Sequence, residues 1–221
     1  KLAKILEDTL EIDEILKLAA DASEVQAAEP RISFHLEKTV RIGVAEDEAF
    51  CFYYKDNFRL LKSMGAELVT FSPMRDEHLP ENLKGLILGG GYPELNAREL
   101  EANVSMREDI HRALNDGMPC LAECGGFMYL HDEMEAMDGN SYHMAGVISG
   151  RAYRTQRLNR FGYVTLTQKK EVLGMNDMGG IPAHEFHYFD SENCGDDFDA
   201  KKPASHRKWN CIHGTDTMMA G

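Results

Sequence analysis

Short apolar segments alternate with helical segments between residues 40 and 130, and this alternation restricts the chain to few folds. The apolar segments are predicted to be strands, at residues 40–45, 68–71, 86–88 and 118–123. A strand that is followed each time by a helix favours a parallel sheet covered by helices on both faces. We therefore predict an α/β fold with three layers and a mostly parallel sheet.

The predicted helices carry recognisable start and stop signals. Asp56 is expected to cap a helix that stops at Gly65. Ser105 and Glu108 have the spacing of a capping box, which predicts the start of a helix that Gly117 closes. Beyond residue 140 the apolar periodicity approaches two, which predicts further strands at residues 163–166 and 185–189.

Residues 1–39 differ from the rest of the chain. Apolar residues recur there at helical spacing in two short segments, and Asp13 is expected to cap the second. Residues 23–39 are polar and irregular, as is typical of a linker. We therefore predict that residues 1–39 are the tail of another domain, and that residues 40–221 form the main domain.

Charge and cysteine content exclude several classes of function. The chain has 24 Lys and Arg against 37 Asp and Glu, for a net charge of −13, so nucleic acid and anionic membranes are not expected partners. It lacks an apolar stretch of about 20 residues and a signal-peptide pattern, which predicts a soluble, cytoplasmic protein. Its 5 cysteines include no CxxC pair, so neither a disulfide framework nor a zinc site is predicted.

The third and fourth predicted strands both run into glycine clusters, at residues 89–91 and at Gly125-Gly126. Ligands of parallel sheets bind at this carboxyl edge. Cys124 stands where the fourth strand must turn sharply into a helix, which is the pattern of a nucleophile elbow. The helix dipole is expected to lower the pKa of the thiol. The N–H of Gly125 and one from the 89–91 turn are expected to stabilise the oxyanion formed when the sulfur attacks an amide.

Simpler interpretations apply to the other candidates. Free cysteines are usually buried, so Cys51, Cys120, Cys194 and Cys211 are assigned packing roles. The 89–91 turn lacks the GxGxxG and GKS/GKT patterns of phosphate loops. The HEFH sequence at residues 184–187 has the wrong spacing for a HExxH metal site, so no metal is predicted.

Several longer motifs stand in order along the chain. They are AFCFYY (49–54), FSP (71–73), LP (79–80), GGGYPEL (89–95), AECGGFMYL (122–130) and HEFHY (184–188). Together they closely resemble the glutaminase domain of the cobyrinate a,c-diamide synthase family, over about residues 38–190. The resemblance implies a class I glutamine amidotransferase fold of the flavodoxin-like type, with extra C-terminal strands.

In that family the domain hydrolyses L-glutamine through a thioester. The resemblance implies that Cys124 is the nucleophile and that Gly90, Gly91 and Gly125 form the oxyanion turn and elbow. The resemblance places Glu185 and His187 beside the pocket. It also makes Arg160 a candidate for shaping the glutamine site. No cofactor is expected in this domain.

The implied partners lie outside the glutaminase domain. The ammonia passes to the protein's own synthetase domain, where ATP and Mg²⁺ activate the a and c acetate side chains of the corrin precursor cobyrinate. Residues 1–39 resemble the tail of that synthetase domain. The family's catalytic histidine follows the HEFHY strand in an apolar-aromatic motif, and we expect it beyond Gly221 rather than at His187. A homodimer is a further candidate assembly.

Two alternatives stay open. A sister enzyme that amidates hydrogenobyrinate or a nickel-containing tetrapyrrole would share these motifs, because the glutaminase part does not contact the macrocycle. A non-catalytic relative serving as a binding or assembly module is the second alternative. A glutaminase assay separates the module from the enzymes.

Overall fold

The computed structural model describes residues 1–25, 37–158, 160–203 and 207–221. The chain divides into two compact units, Lys1–Ser33 and Phe34–Gly221. None of the helices in the described part of the chain has the length and apolar character needed to cross a bilayer.

The first unit contains the two helices predicted there, α1 (Leu2–Thr9) and α2 (Ile12–Ala20). Neither helix has a buried residue. The predicted Asp13 cap is wrong, because Glu11 occupies the capping position and Asp13 lies within the first turn of the helix. Most of the predicted linker lies outside the described residues.

The second unit contains all the strands of the described chain and four further helices. In chain order the strands are β1 (Val40–Ala45), β2 (Ala66–Phe71), β3 (Gly85–Leu88), β4 (Cys120–Ala122), β5 (His131–Glu135), β6 (Ser141–His143), β7 (Ile148–Arg154), β8 (Arg160–Gln168), β9 (Gly180–His187), β10 (Phe189–Ser191), β11 (Phe198–Lys201), β12 (Lys208–Cys211), β13 (His213–Gly214) and β14 (Met218–Ala220). The helices are α3 (Lys55–Ser63), α4 (Ala97–Ala102), α5 (Val104–Asn115) and α6 (Gly125–Tyr129).

Six strands form the central sheet, in the order β13-β14-β4-β3-β1-β2. All neighbouring pairs are parallel except β13 with β14. The predicted α/β fold with a mostly parallel sheet is therefore confirmed. The remaining strands form two four-stranded sheets, β10-β7-β5-β6 and β12-β11-β8-β9, which supply the predicted additional strands.

The main hydrophobic core brings together buried residues of the central sheet, of the β10-β7-β5-β6 sheet and of α4, α5 and α6. Leu88, Leu100, Ile110 and Tyr129 are completely buried there. Leu121, whose side chain points to the face of the central sheet opposite Leu88, is 42% exposed. The described residues therefore leave part of the Leu121 side chain open to solvent.

Two predicted helix caps are wrong, one because Asp56 makes a local pair inside its helix and the other because Asn103 occupies the capping position. Asp56 lies in the first turn of α3, where its carboxylate pairs with Arg59 at 3.1 Å. Ser105 and Glu108 both lie inside α5, and Asn103 occupies the capping position without a side-chain capping bond. The Asn103 amide instead donates to the carbonyls of Pro73 and Asp76, each at 2.8 Å, so it connects this helix start to the loop after β2.

Replacing Gly126 by alanine is expected to destabilise the protein by about 3 kcal/mol or more, because the added methyl group would clash with backbone atoms that cannot move without distorting the sheet. A β-carbon at this position would lie 2.0 Å from the Leu88 carbonyl oxygen. The measurement is the free energy of unfolding from urea denaturation.

Gly85→Ala is the matched control for this substitution. The nearest atom to a β-carbon there is the Pro119 oxygen at 3.4 Å, an ordinary contact. We expect a change below about 1 kcal/mol for this variant. Equal losses in the two variants would contradict the proposed backbone contact.

Candidate active site

Cys124 lies at the turn between β4 and α6. Its backbone has φ 53° and ψ −107°, a region that non-glycine residues rarely adopt and that costs about 1–3 kcal/mol. Backbone hydrogen bonds hold the turn in place: the Glu123 N–H donates to Leu88 (2.9 Å) and the Cys124 N–H donates to Gly221 (3.1 Å). A strained strand-to-helix turn of this kind is a nucleophile elbow.

The start of α6 packs directly against the 89–91 turn. The Gly126 N–H donates to the Gly89 carbonyl at 2.9 Å. A β-carbon on Gly125 would lie 2.9 Å from Pro93 Cδ and 3.2 Å from the Gly91 nitrogen. Only glycine permits the two backbone segments to approach this closely.

The residues around Cys51 hold the 89–91 turn in a fixed orientation. The Gly90 carbonyl accepts hydrogen bonds from the N–H groups of Cys51 and Phe52, each at 3.0 Å. The Tyr53 hydroxyl accepts from the Gly89 N–H at 2.9 Å and donates to the Ala45 carbonyl. The backbone groups of the turn therefore have little freedom to reorient.

This packing directs two backbone donors at one sulfur. The N–H groups of Gly125 and Gly91 both lie close enough to the Cys124 thiol to lower its pKa, and so both favour negative charge at this position. Gly90 lies beside it, since a β-carbon on Gly90 would be 3.4 Å from the Cys124 β-carbon. Two fixed N–H donors beside a nucleophile can stabilise an oxyanion that forms on a carbonyl attacked there.

Burial of the sulfur nevertheless raises the pKa of Cys124 above its ordinary value of about 9, and the nearby charges of Glu123 and Glu94 raise it further. The Gly125 and Gly91 donors offset only part of this shift. The predicted lowering of the pKa by the helix dipole is therefore wrong. The reason is physical: α6 has only 5 residues, so its dipole is small, and two carboxylates oppose the thiolate. Cys124 remains accessible to solvent.

The other four cysteines differ in exposure. Cys120 and Cys211 are buried, and burial raises their pKa values to about 12 and about 11. Cys194 is partly buried and its thiol contacts the Asp190 carboxylate at 3.4 Å. The packing role predicted for Cys51 is wrong, because Cys51 is exposed where its backbone hydrogen-bonds to Gly90.

Arg160, Glu185 and His187 lie together on β8 and β9. Arg160 forms ion pairs with Glu185 (4.0 Å) and Asp190 (3.8 Å). Burial is the largest influence on Glu185 and raises its pKa. The His187 Nδ1 donates to the Phe189 carbonyl at 2.5 Å. Within the described ranges, no hydrogen bond or ion pair joins these three side chains to Cys124, so their place in the site stays a prediction.

Two features were not predicted, a carboxylate that influences the Cys124 thiol and a buried histidine. Glu94 follows the 89–91 turn and lies close enough to influence the thiol. His131 is fully buried, with Nδ1 donating to the Phe127 carbonyl (2.9 Å) and Nε2 accepting from the Ser191 hydroxyl (2.6 Å). This histidine connects α6 to β10. The spacing of residues in the sequence does not predict either position, although Glu94 belongs to the GGGYPEL motif.

Comparison with known proteins gives consistent matches. The sequence profile of the CobB/CobQ-like glutamine amidotransferase domain family matches residues 41–209. A cobyrinate a,c-diamide synthase of Caldanaerobacter subterraneus subsp. tengcongensis is 38% identical over 213 residues, covering 96% of this chain and 47% of that protein. One from Clostridium acetobutylicum is 43% identical over 190 residues, covering 85% and 40% respectively. The chain therefore spans less than half the length of these relatives.

Solved structures share the fold at low sequence identity. PurLQS from Thermotoga maritima superposes with a TM-score of 0.54 at 15% identity, covering 82% of this chain and 85% of that one. A glutamine amidotransferase from Thermotoga maritima gives a TM-score of 0.52 at 14% identity, covering 84% and 75%. These likenesses show a common fold.

Alkylation of Cys124 by iodoacetamide is expected to keep accelerating as the pH rises from about 7 to about 9, because only the thiolate reacts. The sign follows from the raised pKa, which moves ionisation of the thiol to higher pH. Peptide mass spectrometry resolves Cys124 from the exposed Cys51 in the same sample. A rate that levels off near neutral pH would contradict the raised pKa.

Proposed function

This chain belongs to the CobB/CobQ-like glutamine amidotransferase family, and from that premise we propose that it is the glutaminase part of a cobyrinate a,c-diamide synthase. The observation that carries the proposal is the convergence of the Gly91 and Gly125 N–H groups on the thiol at a strained elbow. Relatives of the same name match most of the chain at 38% and 43% identity, which supports the choice of acceptor.

The proposed chemistry begins at Cys124. Its thiolate attacks the side-chain amide carbon of L-glutamine, and the carbonyl oxygen becomes an oxyanion facing the N–H groups of Gly91 and Gly125. Collapse of this intermediate expels ammonia and leaves a glutamyl thioester, which water hydrolyses to glutamate. Loss of one oxyanion donor lowers the rate by about 10²–10³ in comparable enzymes.

A base must remove the thiol proton and return it to the leaving ammonia. The raised pKa of Cys124 makes this step necessary at neutral pH. A histidine suits the task because its ordinary pKa lies near 6.5. In the described part of the chain, no histidine hydrogen-bonds to the Cys124 thiol, and the nearest candidate by motif, His187, is bonded to Phe189.

The ammonia is proposed to reach a synthetase domain of the same protein, which would bind ATP and Mg²⁺ and amidate cobyrinate. The matched relatives carry more than half of their length outside this chain, which leaves room for such a domain. The first unit supports the assignment of residues 1–39 to its tail. Leu2 and Leu18 are each 72% exposed and Leu16 is 62% exposed, so these helices present an apolar surface that suits packing in a larger domain.

In the full-length enzyme, Cys124→Ala is expected to lower glutaminase activity by at least about a thousandfold, because no other group can form the thioester. Amidation with added ammonia is expected to continue, since that step does not use the thiol. Coupled glutamate and amidation assays measure the two activities.

Cys51→Ala is the matched control, because Cys51 is the other exposed cysteine of the chain and its backbone contacts the same glycine turn. This variant should keep both activities. Glutaminase activity that survives in Cys124→Ala, or is lost equally in Cys51→Ala, would refute the assignment of the nucleophile.

A further inference from the structure

Glu94 lies in a short 3-10 turn, Pro93–Leu95, directly after the glycine turn of the candidate site. Pro93 is buried and approaches Gly125 so closely that its Cδ would be 2.9 Å from an added β-carbon. The Glu94 carbonyl accepts a hydrogen bond from the Met137 N–H at 3.4 Å. The backbone of Glu94 is therefore held beside the start of α6, and its carboxylate is near enough to influence the Cys124 thiol.

This carboxylate has no counterion among the residues that the structure describes. Glu94 is partly buried, its pKa is raised by burial, and only its own backbone N–H offsets that effect. Other partly buried carboxylates of the second unit have partners: Glu185 pairs with Arg160, Asp197 pairs with Lys170, and Glu101 accepts a hydrogen bond from the His143 N–H. Burying part of an unpaired charge is unfavourable.

The position of Glu94 is unfavourable for the thiol as well. A negative charge beside Cys124 opposes formation of the thiolate that the proposed reaction needs. A positively charged ligand bound between the two groups would remove both penalties at once. A cation that enters together with the substrate would meet Glu94 next to the contact between Pro93 and Gly125.

We infer that Glu94 binds the α-ammonium group of the L-glutamine substrate, an inference that rests on the proposed glutaminase function. Glutamine carries an amide at one end and an ammonium group at the other, separated by a short aliphatic chain. With the amide carbon at Cys124 and its oxygen toward Gly91 and Gly125, the ammonium group pairs with Glu94.

The pairing also links recognition to activation of the nucleophile. Once the ammonium neutralises Glu94, this carboxylate no longer disfavours the Cys124 thiolate. The thiol therefore ionises more readily with an amino acid bound than in the free enzyme. Amides that lack an α-ammonium group, such as 4-carbamoylbutanoate, are bound weakly and leave the thiol protonated.

The test compares three reagents on Cys124. Iodoacetamide reports the intrinsic reactivity of the thiol, 6-diazo-5-oxo-L-norleucine carries the α-ammonium group, and the N-acetyl derivative of that diazo ketone lacks it. Glu123→Gln is the matched control, because Glu123 also places a negative charge near the thiol but is exposed. Rates are measured by peptide mass spectrometry for wild type, Glu94→Gln and Glu123→Gln.

Wild type and Glu123→Gln should both react with the amino diazo ketone at least about tenfold faster than with its N-acetyl derivative, as expected for one lost ion pair. Glu94→Gln should lose this preference while reacting with iodoacetamide at least as fast as wild type. A preference that persists in Glu94→Gln, or that disappears equally in Glu123→Gln, would overturn the inference.

Failure of the proposed function gives a different result. In that case wild-type Cys124 would react with iodoacetamide but with neither diazo ketone. A second measurement on the wild type alone guards against a Glu94→Gln variant that fails to fold. Calorimetry should show L-glutamine binding at least about tenfold more tightly than 4-carbamoylbutanoate, and equal affinities would also overturn the inference.

Discussion

The site depends on one close contact between two backbone turns. Parallel pairing sets Leu88 of β3 opposite Ala122 of β4, so both strands end at the same level of the sheet. The glycine turn and the start of α6 then meet with the Gly126 N–H on the Gly89 carbonyl. The placement of the Gly91 and Gly125 N–H groups beside Cys124 depends on this contact, because a β-carbon on Gly125 or Gly126 would prevent it.

The charges around Cys124 disfavour ionisation of its thiol, whereas the sequence pattern predicts that ionisation is favoured. A five-residue helix offers little dipole, and the carboxylates of Glu123 and Glu94 oppose the thiolate. These influences favour the protonated thiol when the site is empty of ligand. A nucleophile that is activated only with substrate bound is protected from wasteful alkylation and oxidation, since those reactions need the thiolate.

The sequence predicts the parts of the fold that hydrophobic runs and glycine clusters determine. The four strands of residues 40–123 and the turn at Cys124 are of this kind. The helix start near Ser105 could not be predicted, because the contacts of Asn103 with the loop after β2 decide it, and Asp56 pairs locally with Arg59 instead of capping. The pKa of Cys124 depends on Glu94, thirty positions earlier, and on burial that only the folded chain creates.

The most direct test of the central claim is a crystal structure of the protein after Cys124 has reacted with a glutamine-derived chloroketone. The carbonyl-derived oxygen of the adduct should lie about 2.7–3.1 Å from the nitrogens of both Gly91 and Gly125. An adduct whose oxygen points away from both nitrogens, or a chloroketone bound at another cysteine, would contradict the account.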